Sequence, residues 1–119
     1  MESEAIKLKA QERPKILQGD THKIHTSCGT LYVSVNKHDD KVFEVFAKLG
    51  KAGGCSACTT EALTRVMSVG LRAGVDLGEY VHTLENIRCI SPTFSEGVQI
   101  NSCPDAIAQV LKTYIKEEK

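Results

Sequence analysis

The period of the apolar residues changes once along this chain, and that change limits the folds open to it. Between Thr21 and Ala47 the period is two: Leu31, Val33 and Val35 alternate with Tyr32, Ser34 and Asn36, and Phe43, Val45 and Ala47 alternate with Val42, Glu44 and Phe46. Successive side chains of a strand point to opposite faces, so these are two half-buried strands. The polar link Asn36-Lys37-His38-Asp39-Asp40 suits an antiparallel connection, and His22 to Thr26 is placed to supply a third strand. The same alternation puts Glu44 on the solvent face.

Past Gly54 the period becomes helical. Ala62, Leu63, Val66, Met67, Gly70 and Leu71 form one stripe of a helix predicted from about Thr59 to Ala73, with Gly74 placed to end it. Asp76-Leu77-Gly78-Glu79 has the spacing of a capping box with an acidic cap. It opens a second helix that carries Tyr80, Val81, Leu84 and Ile87 and stops near Arg88. Cys89 to Asn101 contains Pro92 and Gly97 and reads as irregular, with a short extended piece at Val98 to Ile100. Pro104 suits the first position of a last helix, whose core stripe is Ile107, Val110, Leu111, Tyr114 and Ile115. Residues 1–20, rich in charge and broken by Pro14 and Gly19, read as an arm or linker ahead of a domain spanning 21–119. Strands first and helices after define an α+β fold, a small antiparallel sheet of about three strands with about three helices packed on one face.

Composition narrows the function classes. The 119 residues, 41% hydrophobic and 25% charged, suit a single soluble domain. Fifteen basic residues balance 15 acidic ones and Trp is absent, which disfavours nucleic acid and an anionic membrane as partners. Met1 to Pro14 holds no apolar run long enough for a signal peptide or a span, so a cytoplasmic location is expected. Thiols stay reduced there, and five cysteines, an odd number, point to metal or redox chemistry rather than permanent disulfides.

Four of those cysteines fall at the ends of the expected elements. Cys28 lies in Thr26-Ser27-Cys28-Gly29, Cys55 follows Gly53-Gly54, Cys89 follows Ile87-Arg88, and Cys103 lies in Asn101-Ser102-Cys103-Pro104-Asp105. Cys103 at a helix cap and Cys55 just ahead of a helix both stand at positive helix ends, which favour the thiolate that binds metal or attacks electrophiles. In a helices-on-sheet domain the four ends can meet on one edge, and four thiolates make a closed structural zinc site. Cys55-Ser56-Ala57-Cys58 is the only pair two residues apart, and it leaves one cysteine too many. Cys58 either faces the core from the first helical turn or acts as a ligand.

Other groups say less. Lys51 and Arg88, beside two cysteines, either offset the charge of a thiolate site, contact a phosphate or are simply solvated. Gly50 to Gly54 lacks the spacing of a phosphate loop. His22, His25, His38 and His82 have no mutual ligand spacing and read as surface or structural residues. No histidine accompanies Cys55 or Cys103 as a general base, so no catalytic residue is assigned.

Longer runs carry a family resemblance. Glu12-Arg13-Pro14-Lys15-Ile16-Leu17-Gln18-Gly19-Asp20-Thr21 and Ser27 to Asn36 resemble the segment after the catalytic barrel in adenosylcobalamin-dependent (class II) ribonucleotide reductases. Phe43 to Phe46, Leu49 to Cys55, Ile87-Arg88-Cys89 and Ser102 to Ala108 resemble motifs of the TSCPD domain, which also occurs as short free-standing proteins. The eponymous motif begins here with Asn101 instead of Thr. The resemblance singles out Cys28, Cys55, Cys89 and Cys103 as metal ligands and leaves Cys58 unmatched. It implies an accessory or regulatory module of deoxyribonucleotide synthesis, working with a reductase catalytic chain or another protein. At 119 residues the chain cannot hold the barrel and cofactor sites of the reductase itself. The order of Cys28, two strands, Cys55, a helix and a late cysteine opening another helix is also similar to iron-sulfur scaffold proteins. That similarity keeps an iron-sulfur cluster as the alternative to zinc, and thiol redox chemistry as a further one.

Overall fold

The computed structural model describes residues 7–50, 54–90 and 92–117. Lys51 and part of the Gly50 to Gly54 run therefore lie outside the described residues. Three strands, β1 (Gln18–Thr26), β2 (Gly29–His38) and β3 (Lys41–Leu49), form an antiparallel sheet in sequence order. They are followed by α1 (Cys55–Arg72), α2 (Leu77–Leu84), a hairpin of β4 (Thr93–Ser95) and β5 (Val98–Ile100), and α3 (Cys103–Glu117). The arrangement is the expected α+β one.

Register explains which sheet face is buried. Ile24 pairs with Leu31, Val33 with Ala47 and Val35 with Val45, so the apolar set of all three strands shares one face. Ile107, Leu111 and Tyr114 of α3 and Met67 and Leu71 of α1 complete the core with it. A bulge at Asn36/Lys37 shifts the pairing from Asn36↔Glu44 to Lys37↔Val42 and leaves Phe43 as the extra residue. Val42 through Val45 are buried in succession as a result.

Glu44 does not face solvent. It lies on the outer face, as alternation requires, but its carboxylate is completely buried. Arg13, from the segment ahead of β1, grips both oxygens, with Nε donating to Oε1 at 2.9 Å and NH2 to Oε2 at 3.1 Å. Asn36 Nδ2 adds a third donor at 2.6 Å. The pairing with Glu44 raises the pKa of the Arg13 guanidinium still further. The described part of the arm is thus fastened to the sheet, and the Gln11 amide also donates to the carbonyl of Arg72 at the end of α1. Alternation identifies the face of a side chain and is silent on what later covers it.

The buried side of α1 differs from the apolar stripe read in the sequence. Val66 is 70% exposed, and the face against the sheet is Thr60, Thr64, Met67, Ser68 and Leu71. Alternate residues of an antiparallel edge strand turn N–H and C=O away from the partner strand. On β3 these groups meet hydroxyls of α1. Ser68 Oγ accepts from the Val45 amide at 3.0 Å and donates to the Val45 carbonyl at 2.7 Å, while Thr64 Oγ1 accepts from the Ala47 amide at 3.1 Å. The helix begins four residues earlier than expected, at Cys55, and ends as expected. Gly74, at φ 106°, follows the cap, and the Val75 and Gly74 amides return to the carbonyls of Gly70 and Leu71 in a Schellman arrangement.

Asp76 caps α2 by accepting from the Gly78 amide at 3.0 Å. That helix stops at Leu84 rather than near Arg88, because the following residues are drawn toward α3. The stretch read as irregular contains a whole hairpin, turned by Glu96 and Gly97 with φ 51° and 82°, the left-handed pair of a two-residue turn.

Removing the α1 hydroxyls should orphan buried amides. Ser68→Ala and the isosteric Thr64→Val are each expected to destabilise the fold by about 1–3 kcal/mol. Urea unfolding with an unchanged slope measures this.

Candidate metal centre

Cys28 lies in the β1–β2 turn, Cys55 and Cys103 open α1 and α3, and Cys89, expected just after α2, lies in the link between α2 and β4; one buried carboxylate fixes the segments that carry Cys89 and Cys103. Ser102 caps α3, with its Oγ accepting from the Asp105 amide at 3.1 Å. Ser102 also donates to the Ile87 carbonyl at 2.6 Å. Asp105, completely buried, accepts from the Asn86 amide at 2.7 Å, the Asn101 amide at 3.0 Å and Asn101 Nδ2 at 3.3 Å. The Cys89 amide then donates to the Asn101 carbonyl at 2.9 Å. The segment after α2 is therefore laid beside the start of α3. Cys89 and Cys103 are brought to the same edge.

The turn between β1 and β2 meets them there. Thr26 Oγ1 donates to the Gly29 carbonyl at 2.8 Å, and accepts from the Cys28 amide at 3.2 Å and from the Cys103 thiol at 3.6 Å. Ser27 Oγ lies 3.7 Å from Cys89 Sγ. Cys28 Sγ accepts from Ser56 Oγ at 3.5 Å, which brings in the first turn of α1 and the residue next to Cys55. Cys28 and Cys55 are exposed, Cys89 is half-buried and Cys103 is buried. Cys58 is exposed, so it does not face the core. Arg88 is exposed as well.

Three thiols share a neighbourhood without forming a coordination shell. Cys28 and Cys89 lie close enough to Cys103 to act on its ionisation. Among the described residues, however, no three Cys, His, Asp or Glu side chains are close enough to hold a metal ion as placed. Cys103 also departs from the expectation of a thiol acidified by a helix end. Burial pushes its pKa up from the ordinary 9.0, and the Cys28 and Cys89 thiols add to that rise against the opposing hydrogen bond with Thr26.

The histidines behave as structural or surface residues. His22 Nε2 sits 2.6 Å from the Tyr114 hydroxyl, which also donates to Asp20 at 3.3 Å. His38 and His82 lie near Asp39 and Glu85, at 3.7 and 3.9 Å. The hydroxyls of Thr26, Ser27 and Ser56 were not legible as thiol partners, because sequence spacing carries no signal for contacts between distant elements. The Ser102 and Asp105 spacing of a capping box was a legible signal for the start of α3.

The TSCPD domain model matches residues 5–115, and the chain belongs to that family. No curated protein and no solved structure matches the chain.

Two outcomes follow from this geometry. Asp105→Ala leaves the Asn86 and Asn101 amides without their acceptor and is expected to destabilise the fold by about 3 kcal/mol. Hydrogen exchange should quicken at those two amides first. A thiol pKa raised in the fold means that the native state holds its proton longer than the unfolded one. The metal-free chain should therefore keep this contribution below the ordinary thiol value of 9.0 and lose it as pH rises past that value. Chemical denaturation across alkaline pH should show that loss, and Cys103→Ser should flatten it.

Proposed function

We propose that this chain is a metal-stabilised accessory module of deoxyribonucleotide synthesis, in which Cys28, Cys55, Cys89 and Cys103 hold one zinc ion. The observation that carries the reading is the gathering of Cys28, Cys89 and Cys103 around the Thr26-Ser27 turn, with Ser56 bringing the start of α1 to Cys28. Membership of the TSCPD family supports the same four residues through the motif matches given above. The donor chemistry suits the metal, since zinc takes four thiolates in closed structural sites. The Ser56 hydroxyl, which donates to Cys28 Sγ, is placed to stabilise thiolate charge there. Bound there, zinc would supply a cross-link among the β1–β2 turn, the starts of α1 and α3 and the α2–β4 link, in a chain with no disulfide among the described residues.

The partner in this reading is a ribonucleotide reductase catalytic chain or another protein of the same metabolism. In this reading these 119 residues contribute a folded, metal-braced surface, being too few to hold a reductase barrel.

Elemental analysis of anaerobically purified protein tests the metal. About one zinc per chain without sulfide is expected. Cys28→Ser and Cys103→Ser should each lose the metal, while Cys58→Ser keeps it. Affinity should fall as pH falls, because the thiols must release their protons to bind, and the raised pKa of Cys103 extends that dependence to higher pH. Iron with matching sulfide would replace zinc by a cluster, and no metal from any preparation would defeat the reading.

A further inference from the structure

The same cluster is also arranged for oxidation. We propose that Cys28 and Cys103 form a disulfide when a peroxide oxidises the metal-free chain, and that this bond blocks metal binding by consuming two ligand thiols at once. The second half rests on the metal-centre reading above, and the bond itself does not.

One oxygen atom holds the two cysteines together: Thr26 Oγ1 accepts both from the Cys28 amide and from the Cys103 thiol. The Cys28 thiol also lies near enough to act on the ionisation of Cys103. Cys28 Sγ meets Ser56 Oγ and Cys89 Sγ meets Ser27 Oγ, so the shared Thr26 hydroxyl is what singles out Cys28 as the partner of Cys103. Exposure divides the roles. Cys28 stands exposed on a tight turn where an oxidant reaches it, whereas Cys103 is buried behind it.

The chemistry balances with the peroxide as the only co-reactant. The Cys28 sulfur attacks one peroxide oxygen, the O–O bond breaks, and one water leaves as a sulfenic acid forms. The Cys103 sulfur then attacks the Cys28 sulfur, the S–O bond breaks as the S–S bond forms, and a second water carries off the remaining thiol proton. Two thiols lose one electron pair between them and the peroxide gains it. Because Cys103 is adjacent, the sulfenic acid is captured before further oxidation.

The test uses the full chain, freed of metal by a chelator and treated with hydrogen peroxide. Intact mass should fall by two hydrogen atoms, and peptide mapping should join the Cys28 segment to the Cys103 segment. Cys89→Ser should keep this bond and Cys28→Ser should abolish it. A bond from Cys28 to Cys55 or Cys89, or sulfinic acid on Cys28 with no disulfide, would overturn the pairing. The oxidised chain is then offered zinc. Binding restored only after a dithiol reductant supports the block, and zinc bound at full stoichiometry by the disulfide form refutes it. A chain that never binds zinc in the reduced state yet still forms the bond would separate failure of the metal reading from failure of the pair.

Discussion

A carboxylate sealed from water must be given hydrogen-bond donors, and satisfying Asp105 organises the working edge of this molecule. Its donors are the amides of Asn86 and Asn101 and the Asn101 side chain, contributed by the chain on either side of the β4–β5 hairpin. Meeting that demand ends α2 at Leu84, turns the chain through Asn86 in a left-handed conformation, and sets Cys89 against Asn101. Ser102 reinforces the same junction by joining the cap of α3 to the Ile87 carbonyl. In the Ser-Cys-Pro-Asp run, serine and aspartate act as structural anchors for the cysteine between them. Proline at the second helical position carries no N–H that would need a partner there.

Much of the fold was legible because local signals agreed with the tertiary demand. Alternation located β2 and β3, Gly74 closed α1, Asp76 capped α2, and the stripe of α3 was read in the correct phase. Reading failed where a distant partner decided the outcome. Of the apolar stripe of α1, Leu63, Met67 and Leu71 do reach the core, but the buried face is turned away from Val66 toward Thr64 and Ser68, which look polar in sequence and whose hydroxyls here replace the hydrogen-bonding partner of an edge strand. Glu44 was misjudged because its counterion, Arg13, lies 31 residues away in a segment without regular structure. The end of α2 was overshot because Ile87 fits the helical period while Asp105 and Ser102 hold the neighbouring backbone.

The candidate site divides along the same line. Placement at turns and helix starts is visible in the Gly, Ser and Pro neighbours of Cys28, Cys55 and Cys103, and the structure places them there, whereas Cys89, expected just after α2, lies in the link five residues past Leu84. The electrostatic surroundings were not visible. A helix N-terminus favours a thiolate, but at Cys103 burial and the nearby thiols push the pKa up against the opposing hydrogen bond with Thr26. A metal ion would reverse that balance, since its charge stabilises the deprotonated form that burial penalises.

The hydroxyls of α1 on β3 also bear on how copies of this chain meet. An open strand edge is a template on which another strand can be laid, and many proteins defend such edges with charge, proline or bulges. Here a helix occupies the position that a fourth strand would take, and its Ser and Thr side chains imitate the hydrogen bonds that strand would make. On the opposite side the Ser95 hydroxyl accepts from the His25 amide of β1. The sheet is thereby closed to growth along β3, which favours a discrete particle over open-ended stacking.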